Sequence, residues 1–342
     1  MLYISSRSKT DSFTAHKALH FDTAPDNGMF VPFHLPTMDQ EQILELRNKS
    51  FCDIVATILN RFFSIGITQW DVECCTGRNP VRLQEMSHRL IAAELWHNPE
   101  GCYEHIEKNI AGILSGKNVQ PTQWVRIAIR IAVLFAAYSV LPEDKSELID
   151  VAAACGDFTQ PMAAWYARKM GLPIGTIICA CNANSGPWDL ICRGEFNTSS
   201  SAILTQTPDL DDPSPKGIER LVFETLGHAA ASNLADAYDK RTVFRLTDDE
   251  LPLLQAGLAA AVVGDSRIET IIRSVWRTSK YLIDPYAAIP FGAIQDYRAR
   301  SGESKFTLFF ADHSPVLDGK KIANFVGLRE DELKTVVNSV KE

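Results

Sequence analysis

Residues 148–181 read LIDVAAACGDFTQPMAAWYARKMGLPIGTIICAC, and the fold turns on how this stretch is parsed. Leu148 to Ala154 and Thr176 to Cys181 are short, nearly continuous apolar runs of a length that suits strands buried on both faces. Between them Cys155 to Pro161 gathers turn formers, and Met162 to Met170 has helical spacing. Strand, turn, helix and strand make a βαβ unit, whose right-handed crossover sets the strands parallel with helices over both faces of the sheet. Further covering helices are expected over Gly217 to Ala230, Leu251 to Val263 and Pro285 to Arg300, and another strand over Phe306 to Ala311. The fold class is therefore α/β with a parallel sheet.

Upstream, Asp26-Asn27-Gly28 reads as a tight turn feeding Met29-Phe30-Val31, with a stop at Pro32. From Asp39 to Phe62 apolar residues recur at helical spacing, as one helix or two, closed by Gly66. Val81 to Trp96 again has helical spacing, Gly101 to Leu114 reads as a short helix, and Thr122 to Leu141 as a long apolar one. This last stretch carries Arg126 and Arg130 one turn apart and runs short of a clean bilayer span, so a buried helix is expected and no membrane segment.

Composition narrows the class. A chain of 342 residues, 46% hydrophobic and 22% charged, is long enough for two domains and apolar enough for a large core. Its net charge of -8 leaves no basic stripe, so no nucleic-acid partner is expected. The opening MLYISSRSKTDSF has no apolar signal core, and a cytoplasmic location is expected. Cysteines at 52, 74, 75, 102, 155, 179, 181 and 192 include no C-x-x-C pair and no matching histidine spacing. They read as reduced, mostly buried small apolar residues, and no metal site is expected.

Two places carry candidate chemistry. Cys155-Gly156-Asp157-Phe158-Thr159, followed by Gln160, lies where a strand hands over to a helix, so its N–H groups and the positive helix end suit an anion such as a cofactor phosphate. The same residues also read as a plain helix cap with Pro161 in the first turn, and the charge of Asp157 opposes a second negative group. His97 and His105 flank Glu104 near a helix start, as acid–base candidates or as surface residues. Asp211-Asp212 reads as solvated charge in a turn-rich loop, and no Ser-His-Asp set, P-loop or H-E-x-x-H is present.

Taken in order, several segments resemble the threonine synthase family, pyridoxal-phosphate enzymes that convert phosphohomoserine to threonine. Tyr3-Ile4-Ser5-Ser6-Arg7, Ser12-Phe13 and Asp26 to Pro32 look like its opening signature. Glu94-Leu95-Trp96-His97-Asn98-Pro99 resembles its glutamate, leucine, aromatic, histidine, glycine, proline run, and Val119 to Ile127 the start of its long internal helix. Cys155 to Phe158 with Tyr166 to Gly175, then Asn182-Ala183-Asn184, Gly217 to Leu221 and Tyr281 to Pro285, continue the likeness to the carboxyl-terminal part. The resemblance implies a fold-type II large domain of the threonine synthase or tryptophan synthase beta type, with residues 1–95 as a helical N-terminal region and 96–342 as the large α/β domain.

Against that pattern the chain departs at four places. The family's imine-forming lysine lies seven residues after the motif histidine, and seven after His97 stands Glu104, with Lys108 one helical turn further on. A carboxylate cannot condense with an aldehyde. Only Gly112 to Lys117 separates the Glu104 helix from the long-helix motif, where the family inserts a small domain, on the order of 100 residues by ordinary domain size. A Gly-Asn-Phe-Gly-Asn type phosphate loop has become Gly156-Asp157-Phe158-Thr159-Gln160, and a Ser-Thr-Ala-His-Pro type run has become Phe310-Ala311-Asp312-His313-Ser314. The expectation is a catalytically inactive homologue without the small domain, with no bound cofactor and no catalytic residue, acting by ligand or protein binding. Oligomerisation, with like or unlike chains, is expected through the surface left by the missing domain. The alternatives are an enzyme with a repurposed cleft using His97, Glu104 or His105, and residual pyridoxal-phosphate-dependent lyase chemistry on Lys108.

Overall fold

Apolar runs that can cover both faces of a sheet form its interior strands, and the computed structural model gathers them into one six-stranded sheet. It describes all residues except 9, 79–80, 88, 97–101, 117–119, 143–147, 304 and 340–342. The chain opens with β1 (Leu2–Ser5), β2 (Ser12–Thr14) and α1 (Ala15–His20), then β3 (Phe30–Pro32), which pairs antiparallel with β1. Helices α2 (Gln40–Glu45), α3 (Phe51–Phe63) and α4 (Gln69–Thr76) precede β4 (Arg82–Ser87) and β5 (Leu90–Glu94). Then come α5 (Tyr103–Ser115) and α6 (Gln123–Ser139), separated only by residues 116–122.

The βαβ unit follows as β6 (Ile149–Ala154), α7 (Thr159–Met170) and β7 (Ile174–Cys181). After α8 (Gly186–Arg193), β8 (Glu195–Asn197), α9 (Ile218–Leu226), α10 (His228–Lys240), β9 (Val243–Arg245) and α11 (Glu250–Gln255), the chain returns to the sheet as β10 (Leu258–Val262). It ends with α12 (Asp265–Ser279), α13 (Pro285–Ser301), β11 (Phe306–Ala311), α14 (Gly319–Val326) and α15 (Glu330–Ser339).

The order of the large sheet is β10-β7-β6-β11-β5-β4, and every neighbouring pair is parallel except β4 with β5. Side chains alternate between two cores with the period of a strand. Val151, Ile177, Cys179, Leu308 and Phe310 face α3, α5, α6 and α7, whereas Ala152, Ile178 and Phe309 face α12, α13 and α14. Among the described residues, no helix is long and apolar enough to cross a membrane. Helix α6 is instead buried along nearly its whole length.

The amino-terminal strands are tied to this core by one aromatic knot. The Tyr3 hydroxyl donates to the Phe62 carbonyl at 3.2 Å and accepts from Trp124 Nε1 at 2.9 Å. A second tie is Arg220, fully buried, whose Nε donates to the Phe30 carbonyl at 2.9 Å and which also bonds Gln123.

Three expectations are corrected. Val81 to Trp96 is not helical: it forms the hairpin β4 and β5, turning at Arg89 with φ 64. Leu90-Ile91-Ala92-Ala93 is a continuous apolar run buried on both faces, and such a run cannot be told from a helix by periodicity alone. Residues 82–94 thus add two strands to the large sheet through β11.

Leu251 to Val263 splits into α11 and β10 at Gly257, whose φ of +71 favours glycine and whose absent Cβ leaves room for the Arg168 guanidinium. The pattern over Gly217 to Ala230 is likewise two helices, α9 and α10, meeting at Gly227. Five of the eight cysteines are buried, Cys102 and Cys192 are half-buried, and Cys74 is exposed.

Candidate functional site

A parallel sheet whose strands leave β6 in both directions opens a crevice at their carboxyl ends. Here that crevice is a cleft of about 710 Å³ between the ends of β6 and β11, walled by α5, α6 and α13. Glu104, Glu107 and Lys108 of α5 line it, with Gly156, Asp157 and Gln160 of the turn, Asp312 and His313 after β11, and Tyr286.

The turn is shaped by Gly156 at φ +40, where a Cβ would come within 3.0 Å of the Leu210 side chain and 3.2 Å of the Asp209 carbonyl. Phe158 follows in the left-handed region at φ 69 and is buried in the core, so its side chain is a packing residue. Asp157 uses its carboxylate on its own turn. One oxygen accepts from the Thr159 N–H at 3.1 Å, and the other accepts from the Thr159 hydroxyl at 2.8 Å and from Arg126 Nη1 at 2.6 Å. Asp157, one residue before the N-cap Phe158, thus places its own negative charge on the first N–H of α7.

The two arginines of α6 are held by a carboxylate that the motif search did not single out. Glu107, only 5% exposed, accepts from Arg126 Nε at 3.1 Å and from Arg130 Nε at 2.6 Å. Arg130 Nη1 also donates to Gln160 Oε1 at 3.2 Å, and its guanidinium lies 4.6 Å over the Tyr103 ring. Burial raises the Asp157 carboxyl, but the charges of Arg126 and Arg130 outweigh it and hold the group below its ordinary value. Burial likewise opposes the charge on Arg130, and Glu107 and Asp157 reverse the effect. A pair of guanidiniums inside an otherwise apolar helix requires such a partner, and this requirement was the signal that would have pointed to Glu107.

Across the cleft, His313 Nδ1 lies 3.0 Å from Asp312, its Nε2 lies 3.9 Å from Asp209, and its ring stacks on Tyr286 at 4.1 Å. Asp284, 2% exposed, caps α13 by accepting from the Tyr286 and Ala287 N–H groups. Burial lowers the His313 imidazole, yet the hydrogen bond and charge of Asp312, with Asp284 and Asp209, push it up to about 9. Burial pushes Asp284 up to about 7, against the charge of His313.

Both groups thus bind protons more tightly folded than unfolded, and stability falls as they lose them. The contribution of His313 is complete below about pH 6.5 and is lost as the pH rises through about 9, while ionisation of Asp284 costs stability between about pH 4 and 7. The urea midpoint is therefore expected to fall from about pH 6 to about pH 9, and His313→Gln is expected to flatten that fall. Parallel curves for the two proteins over this window would refute the pairing.

Of the sequence candidates, Glu104 and Lys108 reach the cleft together with Gly156, Asp157 and Gln160, and both lie on the exposed side of α5. His105 is exposed and lies outside the cleft lining, with its Nδ1 3.9 Å from the Cys102 sulfur. Thr159 stays beneath the turn, fully buried. His97 lies outside the described residues. Asp211, read as solvated, is half-buried and accepts from Asn182, Asn184 and Thr205, tying 182–184 to the loop over the turn. Among the described residues, no group of three or more His, Cys, Asp or Glu could hold a metal ion.

Residues 2–78 match the family model described as the threonine synthase N terminus. Over 301 residues the chain is 27% identical to threonine synthase of Pseudomonas aeruginosa, covering 78% of this chain and 63% of that protein. Human threonine synthase-like 1 is 28% identical over 145 residues, 41% of this chain and 19% of that protein. The matches thus span less than two thirds of the length of these curated relatives. The fold superposes on a pyridoxal-phosphate-bound threonine synthase from Brucella melitensis with a TM-score of 0.83 at 18% identity, covering 100% of this chain and 99% of that one.

Proposed function

We propose, on the premise that this chain belongs to the threonine synthase family, that it is a non-catalytic member which holds a ligand reversibly in its cleft and forms no imine with pyridoxal phosphate. The observation that carries this reading is Glu104. The α5 residue at the lysine's register lines the cleft, and it is a carboxylate. The turn across the cleft supports the same reading, because the Thr159 N–H and Arg126 are already engaged by Asp157.

The family cofactor, when bound, supplies an electron sink. The residues present do not fit its phosphate, which would meet the Asp157 carboxylate at the turn. What these residues do instead is build a walled cleft of nearly balanced charge. Glu104, Glu107, Asp157, Asp209 and Asp312 face Lys108, Arg126, Arg130 and the protonated His313, five negative against four positive. We place the protein in the cytoplasm on the same reading.

A second reading is favoured by Lys108, which also lines the cleft and carries the amine that Glu104 lacks. Adding pyridoxal phosphate to the purified protein separates the two. No visible imine band, no borohydride-fixed adduct in the intact mass and no phosphate release from phosphohomoserine are expected. An adduct mapped to Lys108 and abolished by Lys108→Ala, together with turnover, would overturn the non-catalytic reading.

A further inference from the structure

We propose that Asp157 sets the ligand selectivity of the cleft: it is a built-in anion that turns the site against phosphorylated ligands and leaves it for small polar molecules that bring no phosphate. The proposal rests on the cleft being a reversible binding site, as argued above, and deepens that reading by naming what the site rejects and which residue does so.

Three observations carry it. The groups at the turn that would hold an incoming anion, the Thr159 N–H, the Thr159 hydroxyl and Arg126 Nη1, converge on one Asp157 carboxylate. The second cation of that wall is committed as well, since Glu107 takes both arginine Nε groups and Gln160 takes Arg130 Nη1. Two guanidiniums and two carboxylates thus close into a neutral cluster, and a phosphate entering there must compete with those carboxylates for both guanidiniums while it approaches Asp157, Asp209 and Asp312.

The third observation concerns what the cleft does offer. The Tyr103 hydroxyl and Gln160 Nε2 belong to cleft-lining residues only 3% and 7% exposed; the two side chains interact with each other, and neither atom reaches a partner at full hydrogen-bond geometry within the protein. Buried polar groups of this kind are uncommon in folded proteins and call for an acceptor from outside the chain. A neutral carbonyl or hydroxyl supplies one without bringing a further negative charge beside Asp157.

The test titrates inorganic phosphate against the full chain and follows thermal unfolding, with sodium chloride at matched ionic strength as the reference. Phosphate is expected to stabilise the wild type no more than chloride does. Asp157→Asn keeps the shape of the side chain and removes its charge, which releases Arg126 from its ion pair while the amide oxygen can still accept from the Thr159 N–H. This variant is expected to bind phosphate at least about tenfold more tightly than the wild type, because a charge-assisted contact is restored. Adding Arg126→Gln to Asp157→Asn is expected to abolish the gain. Asp157→Ser, whose hydroxyl can still cap Thr159, repeats the test should the asparagine variant fold poorly.

Phosphate binding by the wild type as tight as by Asp157→Asn would overturn the proposal, and so would an Asp157→Asn gain that survives loss of Arg126. Should both variants fail to fold, stabilisation of the wild type by phosphate beyond the chloride reference overturns it, and equal response to the two salts supports it. These outcomes are separable from the imine test. A Lys108 adduct with turnover sinks the non-catalytic reading whatever phosphate does, and phosphate binding by the wild type sinks the selectivity claim with no adduct formed.

Discussion

Glu107→Ala is expected to cost about 3–5 kcal/mol of folding free energy, the range for removing one partner of a buried ion pair. The side chain is 5% exposed and is the shared acceptor of Arg126 and Arg130, which are themselves 29% and 16% exposed. Among the described residues, removing it leaves Arg126 with Asp157 and leaves Arg130 over the Tyr103 ring with the neutral Gln160 oxygen as its acceptor. A surface pair would be worth no more than about 1 kcal/mol, so the size of the loss decides whether this cluster is buried in the energetic sense. Urea denaturation of the purified variant gives the number. Replacing the cluster together, as Glu107→Leu with Arg130→Met, is expected to recover much of the loss, because well-packed apolar residues often match a buried pair. A single-variant loss below about 1 kcal/mol would show the arginines to be solvated despite their burial.

Trp124→Ala is the second large effect, again about 3–5 kcal/mol, and here packing outweighs the hydrogen bond. The indole is fully buried and meets Tyr3, Phe62 and Tyr166 edge-on with ring centroids 5.3, 5.6 and 5.4 Å apart. Its N–H bond to the Tyr3 hydroxyl contributes about 1 kcal/mol, whereas deleting the ring opens a cavity among three aromatics that cannot all collapse into it. Trp124→Phe is therefore expected to lose only about 1–2 kcal/mol, and the alanine variant to release the amino-terminal strand to protease before the rest of the chain. Equal losses for the two substitutions would mean that the hydrogen bond, not the packing, holds the strand.

Much of the architecture was legible because burial leaves a compositional trace. The βαβ unit was readable since β6 and β7 are buried on both faces and α7 lies between turn formers. The same property hid β5, because a strand with no exposed face has no alternation to read. It hid β10 as well, where the apolar run Leu258 to Val262 follows α11 after only Ala256 and Gly257.

At the site, sequence located the turn and the α5 residues Glu104 and Lys108, because the turn sits between recognisable elements and register could be counted from a motif. Neither Glu107 nor the cluster of Asp209, Asp284, Tyr286, Asp312 and His313 was assigned a role. Its members come from the loop over the turn, the start of α13 and the end of β11, and only tertiary folding sets Asp209, Tyr286 and Asp312 about the His313 ring, with Asp284 near enough for its charge to act on it.

Because β11 lies between β5 and β6, the centre of the large sheet is supplied by residues 306–311, whereas its two neighbours are complete by residue 154. During synthesis on the ribosome, β5 and β6 therefore emerge facing a gap, each with an unpaired edge, and wait for more than a hundred further residues. Exposed edges of apolar strands are the ones that other chains capture, so the facing edges of β5 and β6 are open to such capture until β11 pairs with both.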